Sequence, residues 1–170
     1  MDAPNEQKAD ERYLKNYPVS WQELHRDAKA LAWRLMELGP WKGIIGIARG
    51  GLVPATIVGR ELEMRLIDSI CVVSYDFQQR SEVKVLKAPE LEDEGAGWLV
   101  IDDLVDTGQT AAKVRALWPK VHIATIFAKP AGRPEVDTFV IEVSQDTWIH
   151  FPWDMDLSFV QPIAGQANRD

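Results

Sequence analysis

One cysteine, Cys71, stands in the whole 170-residue chain, so an intrachain disulfide is impossible and a Cys-based zinc site is excluded. That usage fits a reduced, cytoplasmic setting. Histidine is scarce as well: His25, His122 and His150 have neither ligand nor triad spacing and are expected to be structural or surface residues. No apolar run approaches the ~20 residues of a membrane span, and the first residues are polar and charged rather than signal-like. Basic residues are in deficit, 19 Lys and Arg against 26 Asp and Glu for a net charge of -7, which argues against the basic face of a nucleic-acid binder. With 11 Gly and 10 Pro the chain is neither low-complexity nor fibrous. What it does contain is 46% hydrophobic residues and seven tryptophans, enough for one globular domain.

Residues 1–17 are charged and without apolar period, and read as a loosely ordered extension; the domain is expected over 18–165, with a short tail at 166–170. Ser20 and Glu23 have capping-box spacing, and Leu24, Ala28, Leu31, Leu35 and Leu38 recur at helical spacing until Gly39 and Pro40 end the pattern. The chain then alternates. Strands are expected over 43–48, 66–75, 98–103, 121–129 and 138–143, and helices over 52–62 and 109–118. Strand and helix in alternation predict a mostly parallel α/β sheet with helices on its faces. Two segments break the rhythm: about 76–97 is polar and reads as a flap or hairpin, and about 144–165 is irregular and aromatic, a hood over one end of the sheet.

The densest chemistry lies in VIDDLVDTGQTA, Val100 to Ala111. A parallel strand there ends in Asp102 and Asp103, and Asp106 opens a turn, Thr107, Gly108, Gln109 and Thr110, that enters a helix. Ligands of open α/β sheets sit beyond the carboxyl ends of the strands, and a helix N-terminus attracts phosphate. Carboxylates directly before a phosphate cradle suit sugar hydroxyls and a hard cation such as Mg²⁺. The predicted ligand is a phosphorylated sugar. Arg49 and Gly50 occupy a second strand-to-helix turn, where a forked guanidinium suits phosphate oxygens. Lys129, at the end of the fourth expected strand, is a donor-only group that suits a carbonyl oxygen, and Trp148 offers a flat face for a base.

In this order the residues resemble the signature of the type I purine phosphoribosyltransferases, which bind 5-phosphoribosyl 1-pyrophosphate (PRPP). WKGIIGIARGGLVPA, SYDFQQRSEVKVLK, TIFAKPAGRPEVD and QDTWIHFPWDM extend the resemblance to the bacterial xanthine-guanine branch across roughly Pro18 to Ile163. The resemblance implies a twisted, mostly parallel phosphoribosyltransferase sheet with a flexible flap and a small C-terminal hood. It implies a pyrophosphate loop at Arg49 and Gly50, with unusual peptide geometry, and a PRPP loop running from Asp102 through Leu104 and Val105 to Thr110. The purine would meet Asp106, Lys129, Trp148 and Ile149, and Mg²⁺ would sit on Asp103; Asp154 is a further carboxylate that could assist the metal or the purine pocket. The family's flap carries Arg immediately before Glu-x-Lys-Val-Leu-Lys; here Ser81 takes that place and Arg80 stands one residue earlier, so Arg80, Ser81 and Lys84 are the flap contacts to consider.

The implied activity is purine salvage, the transfer of phosphoribose from PRPP to N9 of guanine, xanthine and, less well, hypoxanthine, giving GMP, XMP or IMP and pyrophosphate. A homotetramer or homodimer is expected, cytoplasmic, with peripheral attachment to the inner membrane a further family trait. A hypoxanthine-guanine specificity is the nearest alternative. A non-enzymatic PRPP sensor acting on nucleic acid fits poorly with the acidity and with Asp106. In a phosphoryl-transfer receiver domain the TGQT loop would have no purpose.

Overall fold

The computed structural model describes residues 13–77 and 80–154, without the side chains of residues 74–81. The described residues before His25 and after Gln145 form one compact unit, and His25–Gln145 form another.

In the larger unit a six-stranded sheet is built from β2 (Gly43–Ala48), β3 (Ile67–Phe77), β4 (Arg80–Lys87), β5 (Trp98–Val105), β6 (His122–Ala128) and β7 (Thr138–Glu142), numbered after a strand β1 (Lys15–Pro18) in the other unit. The order across the sheet is β4-β3-β2-β5-β6-β7, and every pair is parallel except β3 with β4. Leu99, Val100 and Ile101 are consecutive and fully buried, as are most residues of β6, because a central parallel strand is covered on both faces and loses the in-out alternation of an exposed sheet. Helix α2 (Leu52–Glu61) joins β2 to β3, and α3 (Gln109–Leu117) joins β5 to β6. The core gathers Ile45, Ile47 and Ile70 with Val100, Val114, Trp118 and Ile123. Each large aliphatic side chain buried there contributes roughly 1.5–3 kcal/mol.

Helix α1 (Trp21–Met36) begins where the capping box places it: Ser20 N–H donates to Glu23 Oε2 at 2.8 Å and Glu23 N–H donates to Ser20 Oγ at 3.2 Å. Leu24, Ala28, Leu31 and Leu35 are buried, as their spacing predicts. Leu38 is not; the helix stops at Met36, before the cis Gly39–Pro40 bond, and Leu38 is exposed.

Two strands, β1 and β8, lie where none is expected, and β4 forms the second arm of a hairpin with β3. The polar segment after residue 76 contains β4, which pairs antiparallel with β3 from Phe77↔Arg80 to Cys71↔Lys87; Gln78 and Gln79 between them lie outside the described residues. Within the segment read as loosely ordered, β1 pairs parallel with β8 (Thr147–His150), itself inside the segment read as irregular. Two four-residue strands so far apart in the chain leave no local period to detect, which is why the sequence pattern shows neither. Residues 1–12 and everything after Asp154, including the expected tail, lie outside the described residues.

His122 packs its ring against Trp41 with centroids 5.2 Å apart, and its Nε2 is 2.8 Å from Thr138 Oγ1. Burial, partly opposed by the Asp137 carboxylate and aided by Arg115, holds its pKa below the usual 6.5. As pH falls through 6.5 the unfolded chain therefore takes up a proton that the folded chain resists, and stability is lost. Urea midpoints between about pH 7 and pH 5 should fall less steeply for His122→Asn than for the wild type. Parallel slopes would remove His122 from this account.

Candidate active site

The strand order reverses between β2 and β5. From β2 the chain moves outward to β3, and from β5 it moves the other way to β6, so the connections leaving these two neighbours part and open a crevice at their carboxyl ends. Gly46 pairs with Ile101, which brings the turn after Ala48 level with Asp102 and Asp103. The Arg49 turn and the acidic strand end, far apart in the chain, thus share one edge of the sheet.

In that turn the Ala48–Arg49 peptide is cis, and Arg49 is exposed. Gly50 lies flat against the neighbouring strand: a Cβ at this position would be 2.1 Å from Asp103 Oδ2. Gly51 is pressed against backbone, with Ile101 O at 2.2 Å from such a Cβ. The two glycines let the turn press against the acidic strand end, a closeness no other residue type permits.

Asp102 and Asp103 follow each other on β5, where side chains alternate faces. Desolvation by burial, together with the adjacent Asp103 carboxylate, pushes the Asp102 carboxyl well above the usual carboxylate range, although its oxygen Oδ1 accepts the Asp103 N–H at 2.9 Å. Past Leu104 and Val105 the chain leaves the strand at Asp106. Thr107 is exposed, and Gly108 is the N-cap of α3 with φ +87°; this left-handed backbone, and the Glu135 side chain 2.7 Å from where a Cβ would lie, both require glycine. No side chain caps this helix end, so neither Asp106 nor Thr107 serves as the N-cap, and the first amides, at Gln109 and Thr110, remain available to an anion.

Three strand ends converge on Asp106. Lys129 follows β6, and its N–H donates to Val105 O at 2.9 Å, tying it to the end of β5. Its side chain, 1% exposed, donates from Nζ to Asp106 Oδ2 at 3.0 Å. A buried ammonium is tolerated only with such a partner. Gln145, beyond β7, donates from Nε2 to the other carboxylate oxygen, Asp106 Oδ1, at 2.7 Å, and its Oε1 accepts the Ala131 N–H at 2.9 Å. Sequence reading places Lys129 at this edge but overlooks Gln145, a lone glutamine in a stretch without period. Its one signal is its position shortly after the last strand of the sheet.

The remaining expected site residues belong to other elements. Lys84 is exposed on β4; Arg80 and Ser81 begin that strand, and their side chains are outside the described residues. In the smaller unit Trp148 and Ile149 sit side by side on β8. Trp148 is 47% exposed, with the Tyr13 ring set edge-on to it at 4.9 Å, whereas Ile149 is buried. Asp154 is exposed and closes a short 3-10 turn, Pro152–Asp154. No helix among the described residues is long and apolar enough to cross a membrane.

A switch-point crevice with an acidic strand end and an uncapped helix N-terminus is where open α/β sheets take up their ligands. Residues 20–159 match the phosphoribosyl transferase domain, the class to which such a crevice corresponds. Xanthine-guanine phosphoribosyltransferase of Nitratidesulfovibrio vulgaris (strain DP4) is 60% identical over 160 residues, covering 94% of this chain and 97% of that protein. Its counterpart in Desulfotalea psychrophila (strain LSv54 / DSM 12343) is 56% identical over 160 residues, covering 94% and 99%. The chain belongs to the xanthine-guanine phosphoribosyltransferase family. Among solved structures, a purine phosphoribosyltransferase from Pyrococcus horikoshii Ot3 matches with TM-score 0.72 at 26% identity, over 88% of this chain and all of that one.

Proposed function

We propose that this protein is a purine salvage enzyme that moves the phosphoribosyl group of PRPP to N9 of guanine or xanthine, and less well to hypoxanthine. The observation that carries the reading is the switch-point edge, where a glycine turn lies against Asp103 while Asp106 is held by Lys129.

In this reading the amides at Thr107 to Thr110 cradle the 5-phosphate, and Arg49 with Gly50 holds the pyrophosphate. Asp102 and Asp103 accept hydrogen bonds from the ribose hydroxyls. The C1–O bond to pyrophosphate breaks with its electron pair leaving on pyrophosphate, and the N9 lone pair forms the new C1–N9 bond. Carboxylate charge near C1 favours the cationic sugar that develops between these events. The purine gives up one proton, which Asp106 accepts from its imidazole edge or relays to solvent. Lys129 donates to the 6-oxo group; adenine, which presents an amino donor there, would meet another donor. Trp148 stacks on the base and Ile149 reaches its edge through backbone groups, as the family resemblance implies; the half-exposed Trp148 ring supports this. Arg80, Ser81 and Lys84 are proposed flap contacts, on the resemblance alone.

Phosphoribosyltransferases generally use Mg²⁺ with PRPP, and the donor set here fits it. Asp102 and Asp103 supply the hard carboxylate oxygens that this cation prefers. Asp103 would hold it, with Asp154 assisting, and when bound it supplies positive charge beside the leaving pyrophosphate. We assign the protein to the cytoplasm, with peripheral membrane attachment as a family trait, and to a homodimer or homotetramer. The exposed Trp33, Met36 and Leu38 around the end of α1 support self-association.

Initial rates with guanine, xanthine, hypoxanthine and adenine, each with PRPP and Mg²⁺, test the assignment. The 6-oxopurines should be converted and adenine should not. Adenine turned over as fast as guanine would overturn the role of Lys129.

A further inference from the structure

We propose that Gln145 is a positioning residue for Asp106, acting as one half of a clamp whose other half is Lys129. The inference rests on the proposed role of Asp106.

The orientation of the Gln145 amide is fixed by its neighbours. Oε1 accepts the Ala131 backbone N–H at 2.9 Å, so Nε2 is the atom that faces Asp106, donating to Oδ1 at 2.7 Å. The same amino group lies 3.5 Å from the Asp106 carbonyl oxygen, so it spans the residue from side chain to main chain. Lys129 Nζ holds Oδ2 at 3.0 Å from the opposite end of the carboxylate. With a donor on each oxygen, the plane of the carboxylate is set. A charge-assisted hydrogen bond of this kind is short and directional. The two donors differ in setting: Lys129 is buried, whereas Gln145 is exposed, so Gln145 contributes little to the core and its position is explained better by what it holds. The clamp also ties the Lys129–Arg133 turn to the acidic loop. Gly132 is pressed against Val105 and the Asp106 carbonyl, where an added Cβ would lie 2.6 Å and 2.7 Å from their atoms, and Ala131 in the same turn supplies the N–H that orients Gln145. Asp106, Lys129 and Gln145 therefore come from the ends of three neighbouring strands and are set by one another.

Gln145→Glu separates the two functions of the amide. Glutamate accepts the Ala131 N–H as glutamine does, but it cannot donate to Asp106 and places a second negative charge beside it. We expect kcat to fall roughly 10- to 100-fold, the scale on which losing a hydrogen bond to a charged group acts, with the KM for PRPP unchanged within about twofold. Gln145→Ala, which removes the donor without adding charge, should lose less, roughly 3- to 10-fold. In an Asp106→Asn background Gln145→Glu should cause no further fall in kcat, because the carboxylate it acts through is gone and the asparagine amino group can donate to the glutamate. Melting temperatures recorded for each variant identify any loss of folded protein.

Wild-type kcat in Gln145→Glu, or an equal loss in both backgrounds, overturns the clamp. Full turnover by Asp106→Asn itself instead overturns the reading of Asp106 on which the clamp depends, so the two failures are distinguishable.

Discussion

Replacing Asp106 by Asn is expected to lower kcat by roughly 10²- to 10⁴-fold, the range that a positioned acid or base contributes, while leaving the KM for PRPP largely unchanged. The two carboxylate oxygens of Asp106 accept from Lys129 Nζ and Gln145 Nε2, one at each end. Asparagine offers one acceptor oxygen and one amino group, so whichever way it turns, one of these donors faces another donor. It also cannot take a proton from the purine. In the proposed site both defects act on the base-binding side of the reaction, because the 5-phosphate is assigned to the amides of the following turn and the pyrophosphate to the Arg49 loop. The expected signature is a fall in kcat and in kcat/KM for guanine with PRPP affinity retained, measured by steady-state kinetics in both substrates. Unchanged turnover would remove Asp106 from the chemistry. Loss of PRPP binding to the same degree would move it from the base to the sugar.

Gly50→Ala should fail in the opposite way, raising the KM for PRPP by roughly 10- to 100-fold, since a displacement of about 1 Å at a reacting site can cost that much. The added Cβ would stand 2.1 Å from Asp103 Oδ2, 2.5 Å from its Cγ and 2.8 Å from Oδ1. An aspartate side chain has little reach, so the carboxylate must swing away from the turn, and with it the oxygens proposed to hold the ribose hydroxyls and Mg²⁺. Gly50 does not have a positive φ, so alanine meets no backbone penalty there and the fold should survive. The Mg²⁺ concentration for half-maximal rate should rise in parallel with the KM for PRPP, with the melting temperature nearly unchanged. A variant with wild-type dependence on both PRPP and Mg²⁺ would show that Asp103 does not act in the place assigned to it.

The main frame of the sheet and the start of α1 are legible in the chain because they are written in local pattern. Continuous apolar runs mark β2, β5 and β6, the Ser20–Glu23 box marks the start of α1, and the DDLVDTGQT segment carries its meaning within a few residues. Elements whose cause is distant are not legible in this way. The pairing of β1 with β8 depends on main-chain hydrogen bonds between two short segments far apart in sequence. β4 is a strand because β3 offers it an edge, although half of its own sequence is charged. Leu38 fits the helical period of α1 but lies past the point where Gly39 and Pro40 end the helix. At the site, composition and order bring out Asp102, Asp103, Asp106 and the glycine turn. They do not reveal that Lys129 closes on Asp106 or that Gln145 does so from the other end, since those contacts arise only when three strand ends are brought level by the sheet.

The most direct test of the central claim is a product balance. The protein would be incubated with PRPP, Mg²⁺ and guanine, and GMP and pyrophosphate measured together against PRPP consumed. One GMP and one pyrophosphate are expected for each PRPP, with both products absent when guanine or PRPP is omitted. Pyrophosphate released without nucleotide, or no consumption of PRPP with any 6-oxopurine, would contradict it.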